Sequence, residues 1–288
     1  MTEKLHDGLL EKESEAKELE SSVKRNQELA SYDGEDKVVT FVEMDAMLKK
    51  NPKSKVRLFS GMATLDNLMQ GFHGGELIVI SGPPKYGKTL LMQTFTCCFA
   101  QQNILSLWFS YEVVPQDFLD RFPTPLPPAY LPAILKSNKP DWIEDRILEA
   151  KIKYEVQVIF IDHLHFIVDM VKMRNPSLEI GAVLRNLKRI AIQYNVVIVL
   201  ACHIGKIEKG VKPTFWNLRD SSFISQEADA VLMVWRLKDN KEKGIENQSQ
   251  VSVELSRRTG VMGKKVSVVL EGGLLKEVEN AGAEKENA

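Results

Sequence analysis

The sequence lacks long apolar runs, is poor in cysteine and carries almost no net charge, and each shortage excludes a class of protein. Its hydrophobic stretches are short and broken by glycine, proline or charged residues. None reaches the ~20 residues that a membrane-spanning helix needs. Met1 to Lys17 mixes charged and polar residues without the apolar core of a secretory signal. The three cysteines, Cys97, Cys98 and Cys202, are odd in number and two are adjacent, which fits neither a disulfide framework nor a zinc spacing. A reducing, cytoplasmic setting is therefore expected. A formal net charge of -1 gives no global positive field, so any contact with nucleic acid must be a local patch. No internal repeat is visible.

What is present is a chain of 288 residues, 44% of them hydrophobic, which is ample for a packed core. Residues 1–36 are rich in Glu and Lys, with Leu9, Ala16, Leu19 and Val23 on roughly one helical face, and read as a charged helical arm or linker. Residues 37–55 read as a short capped helix and linker: Thr40 with Glu43 three residues on forms a capping box, and Asn51-Pro52 ends the helix.

Residues 56–279 have a different texture, short apolar strands alternating with helices, which predicts an α/β fold with a mostly parallel sheet covered on both faces. The expected strands are Leu77 to Ser81, Ile104 to Ser110, Val156 to Asp162, Val196 to Ala201 and Ala230 to Trp235. Val251 to Leu255 and Lys265 to Leu270 alternate as an antiparallel extension at the sheet edge would. Phe122 to Pro140 carries prolines at 123, 125, 127, 128, 132 and 140, so it cannot be regular helix. Leu178 to Tyr194 places Ile180, Val183, Leu184, Leu187, Ile190, Ala191 and Tyr194 on one helical stripe, which predicts a helix packed on the sheet. Residues 280–288 are polar and expected to be a disordered tail.

The strongest chemical signal is Gly82-Pro83-Pro84-Lys85-Tyr86-Gly87-Lys88-Thr89, followed by Leu90, which satisfies GxxxxGK[ST] between an expected strand and an expected helix. Glycines at those places let backbone N–H groups curl around an anion, and the helix N-terminus adds the positive end of its dipole. ATP phosphates are the expected ligand, with Lys88 reaching the β- and γ-phosphates and Thr89 offering its hydroxyl to Mg²⁺. Asp162, after the apolar run Val158 to Ile161, supplies a second carboxylate on the metal side. Glu112, just beyond the strand ending at Ser110, is the candidate to orient or deprotonate the attacking water. His203 stands where the fourth strand stops and is a candidate contact to the γ-phosphate, with a structural histidine the alternative. His163 and His165 beside Asp162 alternate on what reads as an extended segment without a companion carboxylate cluster, which favours structural roles over a metal site.

Together these segments resemble the C-terminal motor domain of DnaB-type replicative helicases, within the RecA-like P-loop class, over about Leu58 to Glu277. Ser60 to Leu68 with Gly71-Phe72 resembles the family's entry segment, Phe109 to Val113 the stretch bearing its catalytic glutamate, and Phe160 to His165 its Walker B strand. Leu218 to Asp229 resembles the loop and helix before its fifth strand. Ser256-Arg257-Arg258-Thr259-Gly260 resembles the segment that sends basic fingers into a neighbour's ATP site. The resemblance implies a RecA-like ATPase in a homo-oligomer, a hexameric ring around single-stranded DNA, with Arg258 as the arginine finger acting in trans. It places Lys172, Arg174, Lys206, Lys209 and Lys212 in loops facing the channel, as contacts to the DNA backbone. Three departures accompany it. The family's usual glutamine is His203 here, its lysine finger is Ser256, with Arg257, expected on the opposite face of a strand, as a candidate replacement, and residues 1–55 do not resemble its primase-engaging domain. Primase and loader contacts are therefore not carried over. The leading expectation is a DNA helicase of the DnaB-like ring type; a RecA-like regulatory or recombination-associated ATPase that binds without unwinding is the alternative, and a nucleotide-binding scaffold with little catalysis comes third.

Overall fold

A computed structural model describes residues 17–50, 56–167, 176–203, 221–237 and 247–278. The chain separates into two compact units, Met1–Ser54 and Lys55–Ala288. In the first, 17–30 is helical (α1) and Phe41–Lys50 forms α2. The capping box is closed in both directions: the Glu43 N–H donates to Thr40 Oγ1 at 3.2 Å and the Thr40 N–H donates to the Glu43 carboxylate at 2.8 Å, so donors that the helix leaves unpaired are satisfied. No residue of α2 is buried, and Leu19 and Val23 of α1 are exposed. Leu9, Ala16 and the expected tail lie outside the described residues.

The second unit opens with an antiparallel ribbon of β1 (Arg57–Leu58) and β2 (Phe72–His73) that flanks α3 (Ala63–Met69) in sequence. Strands and helices then alternate: β3 (Leu77–Gly82), α4 (Lys88–Gln101), β4 (Ser106–Ser110), α5 (Pro115–Leu119), β5 (Ala129–Tyr130), α6 (Pro140–Tyr154), β6 (Val158–Asp162), α7 (Leu164–Ile167), α8 (Pro176–Tyr194), β7 (Val197–His203), α9 (Ser221–Glu227) and β8 (Ala230–Arg236). Three strands follow, β9 (Gln248–Ser256), β10 (Lys264–Glu271) and β11 (Leu274–Glu277). The sheet order is β11-β10-β9-β8-β3-β7-β6-β4-β5. Pairings from β8 to β5 are parallel, and those from β8 to β11 are antiparallel. This is the mostly parallel α/β sheet expected from the strand and helix alternation, and the RecA-like arrangement that the resemblance implies, with β11 added to the antiparallel edge.

Helices cover both faces, and the pleat divides each central strand between them. Ile78 and Ile80 of β3 join a core with Phe95 and Phe99 of α4, whereas Leu77 and Val79 join one with Leu184, Leu187 and Ile190 of α8. Buried on both sides, β3 and β6 show no exposed residue, as central parallel strands require. On α8, Ile180, Leu184, Leu187, Ile190 and Ala191 are buried and Val183 and Tyr194 pack beside them; each buried Leu or Ile contributes about 1.5–3 kcal/mol. The proline-rich segment, not helical as expected, supplies the two-residue strand β5 at the sheet edge, confined between Pro128 and Pro132.

Because six neighbouring strands run parallel, their carboxyl ends share one edge. Register completes the alignment: Gly82 lies opposite His203, and Ser110 opposite Asp162.

Candidate nucleotide site

The loop after β3 passes close to the sheet. A Cβ at Gly82 (φ 151) would stand 2.4 Å from the Val234 carbonyl oxygen of β8, a contact that only glycine avoids. Gly87 (φ 98) is the N-cap of α4, so the helix starts at Lys88 and aims its positive end into the loop. Lys88 is 7% exposed, and its Nζ donates to the carbonyls of Gly82 at 3.0 Å and Pro83 at 3.1 Å. No carboxylate lies within ion-pair distance of it among the described residues. Burial lowers its pKa, and Asp162 and Glu112 offset part of that effect. A desolvated ammonium whose direct partners are neutral carbonyls is a fit for an anion.

At the start of α4, Thr89 Oγ1 donates to Asp162 Oδ2 at 2.7 Å. Burial raises the pKa of this carboxyl; the Thr89 bond opposes that and the Glu112 charge adds to it. A hydroxyl and a carboxylate, both hard oxygen donors, suit Mg²⁺. An open cleft of about 670 Å³ is lined by Pro84, Lys85, Gly87, Lys88, Thr89 and Leu90, and by Gln93 one turn on. Glu112, Arg121 and His203 line it too, with Leu270 and Gly273 at the β10–β11 hairpin. Gly82 and Pro83 serve it from behind through their bonds to Lys88, and Tyr86 packs on Trp235 with ring centroids 5.0 Å apart. Arg121 is the residue that the sequence reading missed. It is the only Lys or Arg between Lys88 and Lys136, a signal that was available, and its charge reaches Asp162.

The histidines follow a different course from the expected extended segment. The chain turns into α7 directly after His163, and this brings His163, His165 and His203 together, with ring centroids 4.1 to 5.5 Å apart. His163 Nε2 and His203 Nε2 share a hydrogen bond at 3.0 Å, so one ring donates and the other accepts. Among the described residues no group of three or more His, Cys, Asp or Glu is arranged to hold a metal. Burial, helped by the neighbouring rings and Lys88, pushes both His163 and His203 from 6.5 down to about 4. Both are neutral at pH 7. Because the unfolded rings titrate near 6.5, the native state binds fewer protons between about 4 and 6.5, so stability is full above that window and falls with pH inside it. In metal-free protein, the melting temperature of the parent is expected to fall more steeply from pH 6.5 to 4.5 than that of His203→Gln; equal slopes would contradict the assignment.

Arg258 lies elsewhere. It follows β9 in a turn, and its Nε donates to Glu76 Oε1 at 2.9 Å, just before the amino end of β3 and at the opposite edge of the sheet from Lys88. Six residues of strand separate the two places, roughly 17 Å at the usual rise. Arg257 does not project from the face of a strand as expected. It sits in the same turn, and its guanidinium donates to the carbonyls of Ser225, at 3.0 Å, and Gln226. Ser256 is 3% exposed and accepts the Thr259 hydroxyl at 2.8 Å. Lys172, Arg174, Lys206, Lys209 and Lys212 lie outside the described residues.

Comparison with known proteins bears on the family and the fold. Residues 57–124 and 136–274 match the family described as DnaB-like helicase C terminal domain. The replicative DNA helicase DnaB of Treponema pallidum is 26% identical over 223 residues, 67% of this chain and 51% of that protein. That of Mycoplasma genitalium is 29% identical over 266 residues, 76% of this chain and 56% of that protein. The chain thus spans about half the length of the curated relatives it matches. Among solved structures, one chain described as an ATPase domain superposes with a TM-score of 0.66 at 17% identity, over 83% of this chain and 97% of that one. A DnaB-like replicative helicase, solved in a study of its interactions with primase, has the same score and identity over 93% and 77%. At that identity the likeness concerns the fold. Among the described residues no helix is long and apolar enough to cross a membrane.

Proposed function

This chain belongs to the DnaB-like helicase C-terminal domain family, and from that membership we propose that it is the ATP-hydrolysing motor of a replicative DNA helicase, moving on single-stranded DNA. The observation that carries the proposal is the meeting of Lys88, Thr89, Glu112, Arg121 and His203 at one cleft, with Asp162 bonded to Thr89. Lys88 and the start of α4 bind the phosphates of ATP. Thr89 and Asp162 hold Mg²⁺, which when bound neutralises phosphate charge. Glu112 orients the attacking water and accepts its proton, while Arg121 adds a cation on the same wall. His203, neutral and bonded to His163, meets the γ-phosphate as a hydrogen-bonding group rather than a charge.

Arg258 is too far from its own cleft to act there, which supports a role in a neighbour's site. A contact of that kind is head to tail and closes into a ring by rotation; six subunits around single-stranded DNA are proposed, in a reducing, cytoplasmic setting. Lys172, Arg174, Lys206, Lys209 and Lys212 are the proposed contacts to the DNA backbone. One assay tests the proposal: strand displacement on a forked duplex with a single 5′ or 3′ tail, with ATP or a nonhydrolysable analogue. Displacement with ATP alone is expected. Hydrolysis stimulated by single strands but without displacement moves the protein to the second reading, an ATPase that binds DNA without unwinding it. The burial of Ser256, where the family carries a second finger, is the observation favouring that reading.

A further inference from the structure

We propose that Glu76 is a positioning residue that holds Arg258 in the orientation in which the neighbouring subunit's nucleotide meets it. This rests on the reading of Arg258 as a finger acting in trans. Glu76 is 8% exposed and both of its oxygens are engaged. Oε2 accepts the His73 N–H at 2.7 Å, while Oε1 accepts Arg258 through Nε at 2.9 Å and also through Nη2. The carboxylate cannot swing without giving up the His73 bond. Its backbone is pinned as well, since the Ile198 N–H donates to the Glu76 carbonyl at 2.9 Å.

The rest of this edge leaves Glu76 to Arg258. Lys188 is neutralised by Asp229 at 2.6 Å and also donates to the Gly75 carbonyl at 2.7 Å. The turn that carries Arg258 is braced by the Arg257 N–H, which donates to the Asp229 carbonyl at 2.8 Å, and by the Arg257 guanidinium on the last carbonyls of α9. In this scheme Arg257 is a brace and not a second finger.

The consequence is geometric. A guanidinium is a rigid planar fork. Held on its Nε and Nη2 edge, it keeps Nη1 to donate elsewhere, and its 38% exposed side chain faces outward in one orientation instead of many. Glu76 directly precedes β3, and the phosphate loop follows that strand. One strand therefore links a subunit's own phosphate site to the finger it lends.

The test is Glu76→Gln in the full chain, which keeps an oxygen for His73 and removes the charge. Its ATPase kcat is expected to fall at least about tenfold with KM changed by less than about twofold, the mark of lost positioning rather than lost binding. Mixing it with Lys88→Ala, which has an intact finger but a defective phosphate loop, is expected to give turnover above the sum of the separate preparations. Unchanged kcat overturns the proposal. So do merely additive rates where Arg258→Ala mixed with Lys88→Ala does complement, since Glu76 would then act within its own subunit. If that control pair also fails to complement, the trans reading of Arg258 falls and takes this proposal with it. Should Glu76→Gln not fold, Glu76→Asp, which keeps the charge but withdraws it by one methylene, carries the same expectations.

Discussion

Lys88→Ala is expected to lower ATP turnover by about 10³-fold, the cost of removing one preorganised group from the transferring phosphoryl. In the nucleotide-free protein it is expected to melt close to the parent. The two outcomes are separable because the Lys88 charge is a liability in the empty fold. Burial drives its pKa down, and its direct partners are two backbone carbonyls rather than a carboxylate. Removing the side chain takes away the desolvated charge along with two modest bonds. The stabilisation conferred by Mg-ATP should vanish, however: a site filled at a hundred times its Kd adds about 2.7 kcal/mol to the parent. Melting curves with and without Mg-ATP, beside steady-state hydrolysis, check both parts. Parental turnover in the variant would remove the phosphate-loop assignment.

Arg258→Ala is the second large effect. An arginine finger is worth about 10³-fold or more in kcat, so turnover should fall by that order while nucleotide binding, measured on isolated subunits with a fluorescent ATP analogue, stays within about twofold. The distance argument makes this specific. Arg258 is bonded to Glu76 beyond one end of β3, and Lys88 lies beyond the other, so no loss of binding within the same subunit is expected. A loss of ATP affinity matching the loss of kcat would show that Arg258 supports its own subunit's fold or site.

These expectations draw unequally on sequence and structure. The phosphate loop was legible because its spacing is local: eight residues between a strand and a helix confine the backbone to one kind of turn. Asp162 and His203 were legible as the polar residues that end apolar strands, and Glu112 as the acid just past another. Arg121 was not read, because α5 is a single short turn after a bend and nothing periodic points it back to the cleft. The histidine cluster escaped for a similar reason: α7 begins where an extended chain was expected. Arg257 was assigned to a strand face because the alternation of β9 gives no notice of the turn after Ser256.

The sequence by itself determined the central strands, the helix α8 with its buried face, and a loop whose spacing suits an anion, since these follow from periodicity and spacing over a few residues. Tertiary structure alone decided that β3 lies between β7 and β8, that Thr89 meets Asp162, and that Glu76 meets Arg258 across 182 positions of chain. Such pairings depend on how whole layers bury their apolar surface against one another, and that is a property of the packed sheet which no short stretch of residues contains.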